Sequence, residues 1–191
     1  MAYFPMMVNI ENRDVLVIGG GNEGEKKVEV LNEFGAKITL VAPDASEKAI
    51  SLSRDFYKRS FCDSDVTEKE YALIVAATDD REINEKAHDL ALIHKIPVNV
   101  VDNIELCTFI FPAIIKERNV VIATSSSGKS PYVVQYLKKL IRETIPENIG
   151  EINDQMGEYR SLVKSNVADI SERRKLLRIK FEELLKESSR K

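Results

Sequence analysis

Asp14-Val15-Leu16-Val17-Ile18-Gly19-Gly20-Gly21-Asn22-Glu23-Gly24 decides how this chain is read. Val15 to Ile18 is an unbroken apolar run, the pattern of a parallel strand covered on both faces. Gly19, Gly21 and Gly24 then stand in G-x-G-x-x-G register. Each glycine has its own use: a tight turn, close approach of backbone to a pyrophosphate, and close packing of helix on strand. A helix opening here points its N–H groups and positive dipole end at that anion. A glycine-rich turn alone says little, but strand, glycines and helix occur in the order that dinucleotide binding requires.

Outward from this stretch, strand and helix alternate as far as Asp102. The periodicity predicts a helix over 23–34, with Val30, Leu31 and Phe34 on one face and Gly35 as its stop. A strand over 36–42 ends at Pro43. Residues 44–54 read as helix, 56–61 as a short strand and 71–77 as another buried strand. Thr78-Asp79-Asp80 opens a helix to about Lys95, with Ile83, Ala87, Leu90, Ala91 and His94 on one face. Residues 97–102 form a further strand. This alternation specifies a doubly wound parallel sheet.

After Asp102 the pattern changes. Strands are expected over 108–115 and 119–124 around the polar turn Lys116-Glu117-Arg118-Asn119, then three amphipathic helices near 131–143, 147–165 and 169–187. The expected class is therefore α/β. A Rossmann-like parallel sheet occupies 1–112, a small α+β dimerisation segment 113–145, and a helical domain 146–191. The three apolar stripes exceed what one subunit needs to cover its sheet, which points to a homodimer held by residues after 103.

Composition excludes more than it assigns. Among 191 residues the net charge is −3, which gives nucleic acid no electrostatic footing. Cys62 and Cys107 lie far apart and read as free thiols of a reducing cytoplasm. No apolar stretch is long enough to span a membrane, and Met1-Ala2-Tyr3-Phe4-Pro5 lacks the features of a signal peptide. His88 reads as a surface residue and His94 as a packed or helix-end residue. With no H-x-x-H or E-x-x-H pair, no resident metal site is expected.

Several segments could carry chemistry. In a Rossmann unit an acidic residue at the end of the second strand holds the adenosine ribose. Here that place is Pro43 with Asp44 just beyond, so Asp44 either holds the ribose or caps a helix. No cation within 41–45 awaits a 2′-phosphate, which favours NAD over NADP. Thr78 and Asp79 lie at the carboxyl end of a strand, where ligands sit in open α/β sheets, and either could also cap the next helix. Asn99 and Asp102 mark the same edge; Asp102 reads as a turn residue or as an acid/base group. Ser125 to Ser130, followed by Pro131, forms an anion-binding turn before a helix, with Lys129 adding charge. Its near-match to a P-loop lacks the first glycine, which Ala123 replaces.

The series Phe4-Pro5, Val17 to Gly21, Ala76-Ala77-Thr78-Asp79-Asp80, Asn99-Val100-Val101-Asp102, Phe109-Ile110-Phe111-Pro112-Ala113 and Ser125 to Pro131 resembles precorrin-2 dehydrogenase, the dehydrogenase/ferrochelatase module of siroheme synthases. The resemblance runs from about residue 3 to 180. It implies oxidation of precorrin-2 to sirohydrochlorin with NAD and, in some members, insertion of ferrous iron at the same site to give siroheme. It also implies a homodimer. By similarity Asp102 is the acid/base residue, and Asn22, Glu23, Pro43 and Asp44 line the NAD site beside Gly19, Gly21, Gly24, Thr78, Asp79 and Asn99. Ser126 matches a serine of the substrate cleft that is phosphorylated in some relatives, with Gly128 and Lys129 next to it. Position 24 is Gly where several members have Ala, and the acidic ribose residue is displaced from the strand end. Two other classes remain open on the residues: an NAD-sensing domain without turnover, for which Asp102 is dispensable, and a phosphotransferase using Gly128-Lys129-Ser130, which requires ATP and magnesium.

Overall fold

The computed structural model describes residues 3–188, so Met1 and Ala2 of the leader reading lie outside the described residues. The chain divides into two compact units, Met1–Phe111 and Pro112–Lys191.

In the first unit β1 (Asp14–Ile18), β2 (Lys37–Ala42), β3 (Asp55–Lys58), β4 (Ile74–Ala76) and β5 (Val98–Val100) form one parallel sheet in the order β3-β2-β1-β4-β5. The chain runs from β1 to one side through β2 and β3, then returns to β1's other side with β4. The carboxyl ends of β1 and β4 therefore meet where strand order reverses, the place where such sheets bind ligands. Helices α1 (Asn22–Glu33) and α2 (Glu47–Leu52) cover one face, where Val28, Leu31 and Ala49 meet Val15, Val17, Ile38 and Leu40. Helix α3 (Arg81–Ile93) covers the other, where Ala87 and Ala91 meet Leu16, Ile18 and Ile74. Covering on both faces is why the central strands β1 and β4 carry apolar runs, while the edge strand β3, Asp55–Lys58, is only half-buried.

The loop after β3 closes with a 3₁₀ turn, Asp63–Thr67. Asp65 is buried there, and burial alone would raise its pKa. The Arg59 fork, at 2.9 and 2.5 Å, and the Cys62 N–H outweigh that and hold the carboxyl below its usual range.

Several expected boundaries move. Residues 108–111 are not strand. Thr108 bonds to Val98 through both its N–H and its hydroxyl, so the segment runs along the open edge of β5 and covers it. Phe109 and Phe111 pack against one core cluster of the same unit and Ile110 against the other. The second unit then begins with the antiparallel pair β6 (Ala113–Glu117) and β7 (Val120–Thr124), followed by α4 (Pro131–Thr144), α5 (Ile149–Asn166) and α6 (Ile170–Ser188). Gly150 lets α5 start against the β6–β7 turn: a Cβ there would fall 2.7 Å from the Glu117 carbonyl oxygen. Arg118, in that turn, bonds Glu151 and Asp154 of α5. Ile152 and Val163 of α5 and Leu184 of α6 are buried. No residue of α4 is buried.

Candidate functional site

The three glycines of the fingerprint meet three different surroundings. Gly19 has φ +106°, and a Cβ on it would lie 2.3 Å from the Ala77 carbonyl oxygen. Only glycine fits so sharp a turn beside the end of β4. A Cβ on Gly24 would lie 2.1 Å from the Gly19 carbonyl oxygen, so α1 crosses the turn at backbone contact. Gly21 faces open space, with nothing within 4 Å of its would-be Cβ. It is also the N-cap of α1 and gives the helix no side-chain cap. A crowded turn, a crowded crossing and an open helix mouth between them suit a pyrophosphate. Gly20, to which the sequence assigned no task, is as tight as its neighbours. Its Cβ would meet the Asp44 carbonyl oxygen at 2.2 Å, so the β2–α2 loop lies on the cradle.

Beside this mouth a cavity of about 420 Å³ opens at the carboxyl ends of β4 and β5. Glu23, Thr78, Asp79 and Asp102 line it, together with Arg81 and Asn84, which the motif reading did not single out. Asp102 is exposed and left-handed, at φ +59°. Val101 N–H bonds the Ala76 carbonyl and Asn103 N–H bonds the Val100 carbonyl, which fixes the reversal that carries it. The turn role and the cavity role thus coincide, because the turn is what presents the carboxylate. Lys27, one helical turn after Glu23, is half-buried with its ammonium 4.6 Å from the centre of the Phe111 ring. Burial pulls its pKa down, and the carboxylates of Glu23 and Asp102 partly restore it.

A family described as "Putative NAD(P)-binding" matches residues 6–113, which contain the whole cradle and cavity. The chain belongs to this family. Two siroheme synthases extend the likeness beyond the first unit. That of Ruthia magnifica subsp. Calyptogena magnifica is 34% identical over 178 residues, covering 91% of this chain and 37% of the relative. That of Psychrobacter cryohalolentis is 36% identical over 191 residues, covering 95% of this chain and 35% of the relative. The chain thus spans little more than a third of the length of these curated relatives. The solved structure of SirC, precorrin-2 dehydrogenase, superposes with a TM-score of 0.73 at 22% identity, over 99% of this chain and 100% of that one, which shows a shared fold. The resemblance to siroheme synthases is borne out as a similarity that covers more than nine-tenths of this chain.

The remaining site residues are dispersed. Pro43 and Asp44 are exposed in the β2–α2 loop, and Ser46, not Asp44, caps α2, accepting a bond from the Ala49 N–H. Asn22 is the exposed first residue of α1. Asp80, rather than Thr78 or Asp79, caps α3, its carboxylate accepting from the Glu82 and Ile83 N–H groups. Asn99 is buried and does not line the cavity; its amide donates to the Cys107 sulfur and the Phe109 carbonyl. The Cys107 thiol is itself pushed up in pKa by burial. His94 is the exposed C-cap of α3, off the apolar face expected for it, and His88 bonds the Leu106 carbonyl oxygen.

In the second unit Ser127 and Gly128 are both left-handed, at φ +54° and +78°, so the loop before α4 curls tightly. Its amides are largely used inside it. Ser126 Oγ accepts from the Ser130 N–H, the Ser126 carbonyl from the Lys129 N–H, and Ser125 Oγ from the Ser127 N–H. Ser130 caps α4 through the Val133 N–H. Fewer donors face outward than a run of small residues suggests, and the exposed Lys129 is the loop's cation. Among the described residues no helix is long and apolar enough to cross a membrane, and no group of three or more His, Cys, Asp and Glu residues is placed to hold a metal ion.

Proposed function

We propose that the chain oxidises precorrin-2 to sirohydrochlorin with NAD in siroheme biosynthesis, and that ferrous iron is a second substrate, inserted to give siroheme. The observation that carries this reading is the adjacency of the glycine cradle to a cavity that Asp102 helps to line. Gly19, Gly21 and Gly24 seat the dinucleotide pyrophosphate with Asn22 and Glu23 at the mouth of α1. Pro43 and Asp44 flank the adenosine end, and Thr78, Asp79 and Asn99 belong to the strand ends that bound the site. NAD, when bound, supplies the hydride acceptor. Asp102 takes the proton that leaves the macrocycle carbon skeleton as the hydride departs, which needs an exposed, ionisable carboxylate held at a fixed place. For iron insertion the same carboxylate accepts pyrrole protons. Ser126, Gly128 and Lys129 hold carboxylates of the tetrapyrrole.

The NAD(P)-binding family membership and the siroheme synthase relatives support this reading. The exposed apolar face of α4 supports a homodimer with 113–145 at the interface; a cytoplasmic location and a helical domain over 146–191 belong to the same proposal. Incubating the purified protein with precorrin-2 and NAD, with and without ferrous or cobaltous ion, tests it. The expected result is NAD-dependent formation of sirohydrochlorin, with a metallated product when the ion is present. No NAD-dependent turnover overturns the reading.

A further inference from the structure

Asn84 lies one turn inside α3 and is 8% exposed. Its side chain is given over to one residue. Oδ1 accepts from the Thr78 N–H at 3.3 Å and is 2.8 Å from the Thr78 hydroxyl, while Nδ2 donates to the Thr78 carbonyl at 2.8 Å. A primary amide is suited to this, since it accepts from the N–H and donates to the C=O of the same residue. An ionised carboxylate cannot donate, and an apolar isostere does neither. Thr78 is also bonded to Asp80, whose N–H is 3.2 Å from the Thr78 hydroxyl.

The residues so fixed are those on which the glycine cradle rests. The Ala77 carbonyl oxygen and the Thr78 nitrogen lie 2.3 and 2.9 Å from the would-be Cβ of Gly19, and the Ala77 N–H bonds the Ile18 carbonyl at 2.7 Å. Ala77, Thr78 and Asn84 also line the cavity beside the mouth of α1. We infer that Asn84 is a positioning residue for the dinucleotide: its amide holds the Ala77–Thr78 backbone as the wall against which the cradle closes, before any cofactor arrives. Thr78 serves as part of that wall, with its own polar groups engaged inside the turn. This rests on the reading of the cradle as the NAD site.

The experiment uses the full chain. The chain has no tryptophan to report binding by energy transfer, so bound NADH is read by its own fluorescence. Asn84→Asp keeps the volume and loses the donor; Asn84→Ala loses both bonding groups. Both should raise the Kd of NADH about tenfold or more. The KM of NAD should rise with it, while kcat at saturating NAD stays within about threefold of the parent. Parental Kd in a folded variant, or loss of kcat at unchanged Kd, overturns the inference. Hydrogen–deuterium exchange on the parent provides an arm that no folding failure can remove. The Thr78 amide should exchange slowly without NADH, and fast exchange that slows only on NADH addition also overturns it. A parent that binds no NADH refutes the cofactor reading instead, and the exchange arm still reports on the clamp.

Discussion

The two units differ in what they leave uncovered. In the first, the central strands are sealed on both faces and Val15, Leu16, Val17, Ile38 and Leu40 have no exposed surface at all. In the second, the strongly amphipathic helix α4 shows Tyr132 at 86% and Tyr136 at 65% exposure and has no fully buried residue, with Val134, Leu137 and Ile141 half-buried. The first unit's sheet is thus covered within one chain, although Phe4, Met6, Met7 and Ile93 of that unit stay exposed, and its glycines and turns suit a small ligand. The second unit has an apolar face still to be covered. The same physics governs both, since apolar area leaves water wherever a matching surface is within reach. For the sheet that surface comes from its own helices; for α4 a second subunit is the proposed source.

Four measurements would break or sharpen this contrast. The largest effect belongs to the first unit. Asp102→Asn should lower kcat about 10²–10⁴-fold while leaving NAD affinity nearly unchanged, because the amide keeps the shape but cannot take a proton. Thermal melting on the same preparation separates chemistry from turn stability, and near-normal turnover in a folded variant removes Asp102 from the mechanism. Next, light scattering at micromolar concentration should give a dimer mass for the parent and a monomer mass for the double variant Tyr132→Glu, Tyr136→Glu, with the first unit's NADH binding retained. A monomeric parent would mean that the face of α4 is not a subunit interface.

A smaller effect separates two glycines of one motif. Gly24→Ala pushes a methyl group into the Gly19 carbonyl and should cost about 1–3 kcal/mol of stability, read by denaturant melting. Gly21→Asp points into open space, so the protein should melt like the parent and yet bind NADH poorly, through the charge set against the pyrophosphate. Equal NADH binding by Gly21→Asp and parent would show that the cradle holds no dinucleotide. The smallest effect is cofactor choice. The exposed Asp44 beside the cradle should disfavour a 2′-phosphate, giving kcat/KM about tenfold higher with NAD than with NADP. Equal use of both would discard that role for Asp44.

Much of this was legible in the sequence because the first unit follows local rules. Continuous apolar runs marked β1, β2 and β4, and glycine spacing marked the cradle before α1. Asp102 followed from its place after a buried strand. The misses arose where pairing across the chain decides the outcome. Thr108 and Phe109 look like strand residues, but the open edge of β5 claims them as a cover. Asp44 and Ser46 both suit a cap, and only the backbone path shows that Ser46 takes it. Asn84 reads as one more polar helix residue, since the bonds that matter run six residues back to Thr78. Lys27 gains its setting from Phe111, far along the chain.

The left-handed backbone at Asp102 has a consequence for the gene. At φ +59° the residues that settle without strain are glycine, asparagine and aspartate. The codons of aspartate lie a single base change from those of the other two. A copy of this gene freed from selection for turnover therefore has two short mutational steps that discard the carboxylate and keep the turn. If Asp102 has the proposed role, such a descendant would still fold, still present its cradle, and persist as a binding protein without turnover.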